Sequence, residues 1–421
     1  KNVYMPTFEF ATILITTLLT IAALYIATMQ YVHEKRKQRI ERFELDSKSI
    51  KNDYTKLSSQ AIDLYRKIYA TQIASSQIQV NNLVYKPSWA SNPAYPLMPI
   101  DDLPISLIPK PEWPSREYQK TSEVTFRQRK INPYDKKSLV DNILIHLDHK
   151  HLWDSPTYIV NSIIEGSIPS LQVYKSSYFD FYNSCMCFGF ELAHAINNPV
   201  DDEEKTINFR KTNDLFDLTN RYCAMGTVTL SVFTNVQSNE KVKSYFVLHS
   251  RSEDVAEGKN IINAVPAGTY QPSVSSDKLE PLSLNIIREF GEEIRGKKEF
   301  TYAYSIDEIE SDLFAKEMKT NIYFLGIGFN PLNAYLEILT LAIIDLSKSG
   351  NATEFGPSLE NVRQKLRSNF EGSLELQEFN RQKLSNISAT YHAAPSLKEI
   401  AAILVKRLDA RNTDAVEEIL N

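Results

Sequence analysis

The sequence predicts an α+β protein in which an N-terminal transmembrane helix and a helical stalk precede a cytosolic domain of mixed strands and helices. Three observations predict this class. They are an uncharged apolar run over residues 10–31, a helical apolar rhythm over residues 40–68, and two strand-like segments followed by an acidic helix over residues 225–296. With 421 residues, the chain can also bury a sizeable core and form two or three domains.

The uncharged run over residues 10–31 has about the 20 residues that a helix needs to cross a hydrocarbon core. The flank that follows is basic and contains Lys35, Arg36, Lys37, Arg39 and Arg42. By the positive-inside rule, this flank places the bulk of the chain in the cytoplasm. A cleaved signal peptide is the alternative, but its apolar region would be shorter and a small-residue cleavage site would follow. We therefore predict that residues 1–32 cross the lipid bilayer of the cell inner membrane once.

Residues 33–82 are predicted to form a helical stalk or coiled coil, because apolar residues recur there at steps of three and four. The seam consists of Ile40, Phe43, Ile50, Tyr54, Leu57, Ala61, Leu64 and Ile68, with Ser47 as its polar member. It could pair with another copy of the chain, giving a homo-oligomer below the membrane, or it could pack on the globular part of the same chain. We expect the homo-oligomer, because the helix follows a membrane span directly and the sequence indicates no other partner for the seam.

Residues 83–121 form a predicted Pro-rich linker, since the prolines between Pro87 and Pro114 interrupt any regular helix. The aromatic residues Trp89, Tyr95 and Trp113 indicate that this linker lies against a protein surface.

Residues 122–220 are predicted to be the N-terminal part of the cytosolic domain. Three histidines, His146, His149 and His151, suggest a metal cluster, but on one helix only the first two share a face. A polar helix end is therefore the expected structure. Residues 174–190 are rich in aromatic side chains and are predicted to be strand-like, either in the core or lining a pocket.

Charge and cysteine content exclude some classes of protein. The net charge of -5 gives no general attraction to nucleic acid, so we expect no duplex nucleic acid partner. Cys185, Cys187 and Cys223 are odd in number and contain no CxxC, which disfavours a disulfide framework and favours a reducing compartment. A soft metal site at Cys185 and Cys187 is the alternative to the buried structural thiols that we expect.

The most informative pattern lies between residues 225 and 296. Residues 225–234 and 243–252 alternate in the way that strands do, and a polar turn separates them. A Pro-Ala-Gly turn around Gly268 follows. After a polar loop comes a helix that Ser283 can cap and Gly296 can end.

This helix carries an acidic stripe. Residues three and four apart share a helix face, so Glu289, Glu292 and Glu293 lie together. They are separate from an apolar face made of Ile286, Ile287, Phe290 and Ile294. Like charges at these spacings repel, which is tolerable if they are solvated or if they bind a cation. The stripe alone does not decide between these two states.

The residues REFGEE, at positions 288–293, resemble the REUxEE core of the Nudix box, and Glu280 lies where the box expects its upstream Glu. The resemblance implies that residues 221–421 form a Nudix-like domain, an α/β/α sandwich. It also implies that Glu289, Glu292 and Glu293 bind Mg²⁺ or Mn²⁺, with Glu292 and Glu293 as the catalytic residues. Gly268, Glu280 and Arg288 are then ligand-binding residues, with Arg288 also orienting a glutamate.

Glu337 is a further acid that a neighbouring strand could supply, although a solvated Glu at a strand edge is the expected alternative.

Two positions depart from the box. Its first Gly is expected at Val274, so that the nearest glycine, Gly268, leaves a longer loop before Glu280. Its closing Gly is expected where Arg295 stands, and Gly296 follows. These changes alter the loop that would cradle a pyrophosphate and leave the carboxylates in place. The resemblance therefore predicts the fold more firmly than it predicts hydrolysis.

The order of segments is similar to that of Nudix-related domains fused to transmembrane segments in bacterial anti-phage effectors. This resemblance implies a membrane-anchored sensor in which a nucleotide or cyclic oligonucleotide binds the Nudix-like domain and triggers membrane disruption or pore formation. The alternative is a membrane-tethered, Mg-dependent Nudix pyrophosphohydrolase of a nucleoside diphosphate-linked compound. A scaffold whose acidic helix has no chemical role is a third hypothesis. The departures at Val274 and Arg295 favour the sensor over the hydrolase.

Overall fold

The computed structural model describes residues 7–111, 140, 154–197, 207, 210–211, 214–238, 241–252, 260–272, 278–297, 311–366, 372–390 and 392–420. Several predictions fall outside these residues, namely those that concern Trp113, His146, His149, His151 and Val274.

The described helices and strands alternate irregularly along the chain. The helices are α1 (Thr7–Asn52), α2 (Tyr54–Ile68), α3 (Ala70–Ala74), α4 (Tyr178–Ser184), α5 (Cys187–Asn197), α6 (Leu282–Glu293), α7 (Leu313–Lys319), α8 (Ser349–Phe355), α9 (Leu359–Lys365), α10 (Arg381–Ala389) and α11 (Pro395–Arg411). The strands are β1 (Gln79–Val80), β2 (Val84–Tyr85), β3 (Met98–Pro99), β4 (Ile105–Leu107), β5 (Pro156–Ile164), β6 (Ser170–Ser177), β7 (Met225–Ser238), β8 (Lys241–Arg251), β9 (Ile262–Ala264), β10 (Ala267–Thr269), β11 (Ile322–Phe329), β12 (Leu336–Asp345) and β13 (Gly372–Glu378). Short 3₁₀ helices lie at Pro87–Trp89, Ile100–Asp102, Leu218–Asn220 and Glu417–Ile419.

The main sheet has the strand order β1-β2-β11-β12-β7-β8-β13, and β3, β9 and β10 pair with β11, β8 and β7. Its central neighbours β12 and β7 are parallel, while the other pairs are antiparallel. A smaller sheet has the order β4-β6-β5. The predicted strands at residues 225–234 and 243–252 are confirmed as β7 and β8, and both are largely buried because they lie within the sheet.

Helices cover both faces of the main sheet. On one face, the Asn285 amide of α6 donates to the Thr227 hydroxyl of β7 at 3.5 Å. On the other face, Glu337 of β12 hydrogen-bonds with Ser396 of α11. Glu337 pairs in register with Gly226, and neighbouring residues of a strand point to opposite faces, so α6 and α11 lie on opposite sides. The α+β class is confirmed, and helices on both faces are consistent with the predicted α/β/α layering.

The first half of α1 agrees with the predicted membrane span. This helix is long and apolar enough to cross a membrane, and the side chains of its apolar part are exposed along the described residues 13–31. A core helix of a soluble domain would bury such side chains. A water-filled environment would leave a large apolar surface uncovered, whereas lipid would cover it.

The heptad seam, in contrast, is covered by the chain itself. Phe43, Leu57 and Ala61 are buried, and the Phe43 ring stacks on Phe190 of α5 at a centroid distance of 5.5 Å. The expectation that this seam holds an oligomer therefore loses its basis, because its apolar face already packs on the globular part of the same chain. A homo-oligomer remains a prediction and would need a different surface.

The described part of the predicted linker belongs to the folded domain. Strands β2 and β3 pair with β11, and β4 pairs with β6. Trp89 is buried, with its ring 5.5 Å from Phe216 and 5.7 Å from Phe329, whereas Tyr95 is exposed. Prolines are compatible with this arrangement because β2, β3 and β4 are short and lie toward the sheet edges, where a missing N–H is tolerated.

Residues 174–190 do not form one strand. Strand β6 ends at Ser177, and helices α4 and α5 follow. The Ser177 side chain accepts the N–H of Phe179, and this N-cap starts α4. Aromatic side chains at Tyr178 and Phe181 then lie on a helix one turn apart. The three cysteines are free and buried, as predicted.

Replacing Leu57 tests whether the seam packs within the chain. Leu57 is 1% exposed, so Leu57→Asp should destabilise the domain by at least about 3 kcal/mol, because it opens a cavity and buries an unpaired carboxylate. Thermal unfolding of the full-length protein in detergent measures this loss. Leu45→Asp, at a 49% exposed position of α1, is the matched control and should leave the melting temperature nearly unchanged. A Leu57→Asp protein with unchanged melting temperature and a smaller particle mass would restore the oligomeric coiled coil.

Candidate functional site

The acidic helix α6 begins two residues earlier than predicted and is capped by a side chain from another segment. Pro281 occupies the N-cap position and provides no side-chain hydrogen bond. Ser283 lies inside the first turn, and the Asp101 carboxylate accepts both its N–H at 3.0 Å and its hydroxyl at 2.6 Å. The predicted Ser283 cap is therefore wrong. A carboxylate from another segment satisfies the helix N-terminus and complements its dipole.

The predicted end of α6 is confirmed. Gly296 has φ 63°, a left-handed conformation that glycine adopts without steric cost. The next residue, Lys297, donates its N–H to the carbonyl of Gly291 at 2.9 Å, which closes the last turn.

Gly268 lies directly against the acidic stripe. It occupies β10, which pairs with β7, so the turn predicted around it is instead a short strand. A Cβ atom at position 268 would overlap the carboxyl group of Glu289. The missing side chain therefore leaves room for the carboxylate to approach the sheet, and a larger residue here would move that carboxyl group aside.

The three glutamates of the stripe are engaged by two kinds of donor. Arg288 pairs with Glu289, and its guanidinium also lies 3.9 Å from a carboxylate oxygen of Glu292. The backbone N–H of Ala267 donates to Glu293 at 2.8 Å. Arg288 additionally donates to the Asn285 amide oxygen at 3.0 Å, which fixes its own position. These contacts relieve the repulsion that the sequence pattern implies.

The structure places Glu280 in a separate group of contacts. Its backbone carbonyl accepts the phenol of Tyr270, whose ring lies 4.5 Å from the Tyr158 ring. Burial raises the pKa of Tyr158 to about 12, and the charge of Glu280 adds to the rise. Glu280 therefore lies beside a tyrosine pair at the approach to α6.

Glu337 is neither solvated nor part of the stripe. It is 7% exposed and lies on the face of the sheet opposite α6, where Asn330 donates to it at 2.9 Å. Burial raises the pKa of its carboxyl to about 7, although hydrogen bonds from Asn330 and Ser396 oppose the rise. The expectation of a solvated strand-edge Glu is wrong, because β12 lies at the centre of the sheet.

Residues that the sequence did not single out lie at the start of α6 and on the opposite face of the sheet. The hydroxyl of Tyr335 lies over Gly226 of β7, where any Cβ atom would overlap it. This tyrosine also hydrogen-bonds with Thr269 of β10. Asp101, which caps α6, comes from the segment predicted to be a linker. No local pattern marks these residues, because each acts through contacts that are distant in the sequence.

The carboxylate oxygens of the stripe are of the type that Mg²⁺ and Mn²⁺ usually bind. Within the described residues, no group of three or more His, Cys, Asp or Glu side chains is arranged to hold a metal ion. The reason is visible at the stripe, where Arg288 and the Ala267 N–H engage the carboxylates. Metal binding would require these side chains to turn toward a common point, and it remains a prediction.

Comparisons with known proteins return a likeness to a solved structure. No family model matches the sequence, and no curated protein matches it. Among solved structures, the chain is similar to a mutT/nudix family protein from Listeria innocua, with 15% sequence identity and a TM-score of 0.25. The likeness covers 44% of this chain and 94% of that chain.

The raised pKa of Glu337 predicts a pH dependence of stability. The folded protein retains a proton on Glu337 up to about pH 7, whereas the unfolded chain loses it near 4.5, so stability should fall as the pH rises between these values. The pKa difference corresponds to about 3 kcal/mol. Glu337→Gln should remove this fall, so its advantage in melting temperature over the wild type should grow between pH 5 and 8. Glu375→Gln, at an exposed site on β13, is the control, and a constant difference for Glu337→Gln would contradict the assignment.

Proposed function

We propose that this chain is a membrane-anchored nucleotide sensor whose Nudix-like domain binds phosphate groups through the acidic helix α6. The observation that carries the proposal is the contact between Gly268 and Glu289, which brings strand β10 against the acidic stripe. The same chain also has a helix, α1, whose apolar side chains are exposed. In this proposal α1 crosses the inner membrane and the domain lies in the cytoplasm. The resemblance of REFGEE to the Nudix box supports the nucleotide as the ligand class.

Three glutamates would hold Mg²⁺ or Mn²⁺ in this proposal, namely Glu289, Glu292 and Glu293. The bound ion would link carboxylate oxygens to phosphate oxygens of the ligand. Arg288 would keep its contact with Glu289 and so orient that carboxylate. Gly268 would allow the phosphate-bearing ligand to approach the backbone of β10 closely.

Binding without turnover is the proposed outcome, and the end of α6 supports it. Arg295, which stands where the box expects its closing glycine, pairs with Asp312 at 2.7 Å and with Glu354 at 2.9 Å. These ion pairs tie the end of α6 to α7 and α8. Catalysis of in-line attack is sensitive to geometry, and a misplacement of about 1 Å can cost roughly a hundredfold in rate.

The effector step of this proposal involves the membrane helix α1. Ligand binding would change the state of α1 and lead to membrane disruption or pore formation, as in the anti-phage effectors that the order of segments resembles. A pore would need several copies of α1, which is why a homo-oligomer is part of the proposal. Its contact surface would lie outside the seam that the chain itself covers.

The second candidate function is a membrane-tethered pyrophosphohydrolase. The observation that favours it is that all three carboxylates are retained in the sequence and that Glu289 lies against Gly268. In that case Glu292 and Glu293 would be catalytic residues, and the metal would activate water.

A ligand panel separates the two functions. The full-length protein is the appropriate sample, because α1 and α2 contribute buried side chains to the domain. It should be incubated in detergent with Mg²⁺ and with cyclic di- and trinucleotides, nucleoside diphosphate sugars, dinucleoside polyphosphates and NAD. We expect one ligand to raise the melting temperature and to be recovered intact by chromatography.

Glu293→Gln should weaken binding of that ligand by about tenfold or more, because it removes a negative oxygen donor. Glu360→Gln, on the exposed side of α9, is the matched control and should bind normally. Cleavage of a pyrophosphate linkage that Glu293→Gln abolishes would identify the hydrolase instead. No thermal shift with any member of the panel would favour the scaffold.

A further inference from the structure

Two of the three buried cysteines, Cys185 and Cys223, meet where the helical pair α4 and α5 packs on the segment before β7. The Cys185 thiol lies 3.5 Å from the carbonyl oxygen of Tyr222, the residue that precedes Cys223. The two thiols also hydrogen-bond with each other. The Ser184 hydroxyl fixes this approach, since it accepts the Tyr222 N–H at 3.1 Å. The fold thus brings together two sulfur atoms that are far apart in the sequence.

The third cysteine, Cys187, has a different contact. Its thiol donates to the carbonyl of Asn183, four residues earlier in the chain, at 3.0 Å. The fold pairs Cys185 with Cys223, whereas the sequence draws attention to Cys185 and Cys187. Because Cys187 is also buried and free, it provides a matched control for the pair.

A buried cation lies beside this pair. Arg221 is 3% exposed, and its guanidinium donates to three backbone carbonyls, those of Asp214, Leu215 and Asp217. Among the described residues, no carboxylate lies within ion-pair distance of Arg221, and its Nε has no hydrogen-bond partner. A buried charge is costly without an opposite charge nearby, so this site favours a thiolate.

The two thiols differ in acidity. Burial raises the pKa of Cys185. At Cys223 burial acts in the same direction, but the hydrogen bond from Cys185 and the charge of Arg221 outweigh it and lower the pKa. Cys223 is therefore the nucleophile of the pair, and Cys185 is the thiol placed to react with it in a second step.

We propose that Cys185 and Cys223 are a redox pair that closes to a disulfide when a peroxide reaches the domain. The Cys223 thiolate attacks one oxygen of hydrogen peroxide, the O–O bond breaks, and hydroxide leaves, so that Cys223 becomes a sulfenic acid. The Cys185 sulfur then attacks that sulfur, the S–O bond breaks, and water leaves with the Cys185 proton. The hydroxide takes up the proton that Cys223 lost, so two thiols and one peroxide give one disulfide and two waters. This chemistry needs neither the nucleotide nor the metal of the proposed function.

The disulfide would clamp the helices on which α1 docks. Helix α5 begins two residues after Cys185, and its His194 Nδ1 lies 2.9 Å from the carboxylate of Asp46 in α1. Cys223 precedes β7 by two residues. Oxidation would therefore join the helices that hold α1 covalently to the centre of the main sheet.

Peptide mapping of the full-length protein in detergent tests the pair. The reduced protein should be treated with hydrogen peroxide, unfolded in the presence of an alkylating reagent and digested for mass spectrometry. We expect a mass loss of two hydrogens, a linked peptide pair that contains Cys185 and Cys223, and an alkylated Cys187. Dithiothreitol should restore both thiols. Oxidation in guanidinium chloride is the control and should give a mixture of pairs, because the fold no longer selects one.

Serine variants assign the two roles. Cys187→Ser should form the disulfide as the wild type does, whereas Cys185→Ser and Cys223→Ser should not. Cys185→Ser should retain a sulfenic acid at Cys223 that a 1,3-diketone reagent labels. Labelling of Cys185 in Cys223→Ser to the same extent would overturn the assignment of Cys223 as the nucleophile.

The wild type alone decides the main point. Three alkylated cysteines after peroxide treatment, or a bridge between Cys185 and Cys187, would overturn the redox pair. Hydrogen exchange over residues 43–50 should slow in the oxidised protein, and unchanged exchange would overturn the link to α1 while leaving the pair in place. Because no nucleotide or metal is added, failure here leaves the proposed function standing, and failure of the ligand panel leaves the redox pair standing.

Discussion

The approach of the Glu289 carboxyl group to the backbone of Gly268 is the constraint on which the rest of the domain depends. A side chain at position 268 would displace this carboxyl group from the strand, so the glycine lets α6 present Glu289 directly to the backbone of β10. Phe290 of the same helix reaches Phe314 of α7 and Phe355 of α8, at centroid distances of 5.3 and 6.1 Å. These aromatic contacts join α6, α7 and α8 into one layer beside the sheet.

The same helix carries a concentration of negative charge that its surroundings offset locally. Like charges three and four residues apart destabilise a helix by a few tenths of a kcal/mol per pair. Arg288 and the N–H of Ala267 engage the carboxylates, and Asp101 supports the N-terminus. Offset in this way, the stripe can remain partly buried against the sheet without metal, while its oxygens keep the chemistry that a cation prefers.

Helix α1 joins two environments without interruption. Its first half exposes apolar side chains suited to lipid, and its second half buries Phe43 and Asp46 against α5. An unbroken helix transmits displacement along its axis, because each turn is held by its own backbone hydrogen bonds. The exposed apolar half of α1 and the folded domain are therefore mechanically connected, which a flexible linker would prevent.

Sequence periodicity alone determined the elements whose contacts are local. Strands β7 and β8 and the apolar face of α6 follow from spacings of two, three or four residues, the apolar span follows from an uncharged run, and the turn after α6 follows from Gly296. The grouping of Arg288, Glu289, Glu292 and Glu293 follows for the same reason, since they share one helix.

Only the tertiary structure decided what covers each face. The cap on Ser283 comes from Asp101, 182 residues away, and the seam around Leu57 meets its own domain in place of another copy. Glu337 faces α11 because β12 lies between β11 and β7, an order that no local pattern contains. A periodic pattern indicates whether a face is apolar or charged. The element that covers this face depends on strand order and helix crossing, because these arise from contacts between residues far apart in the chain.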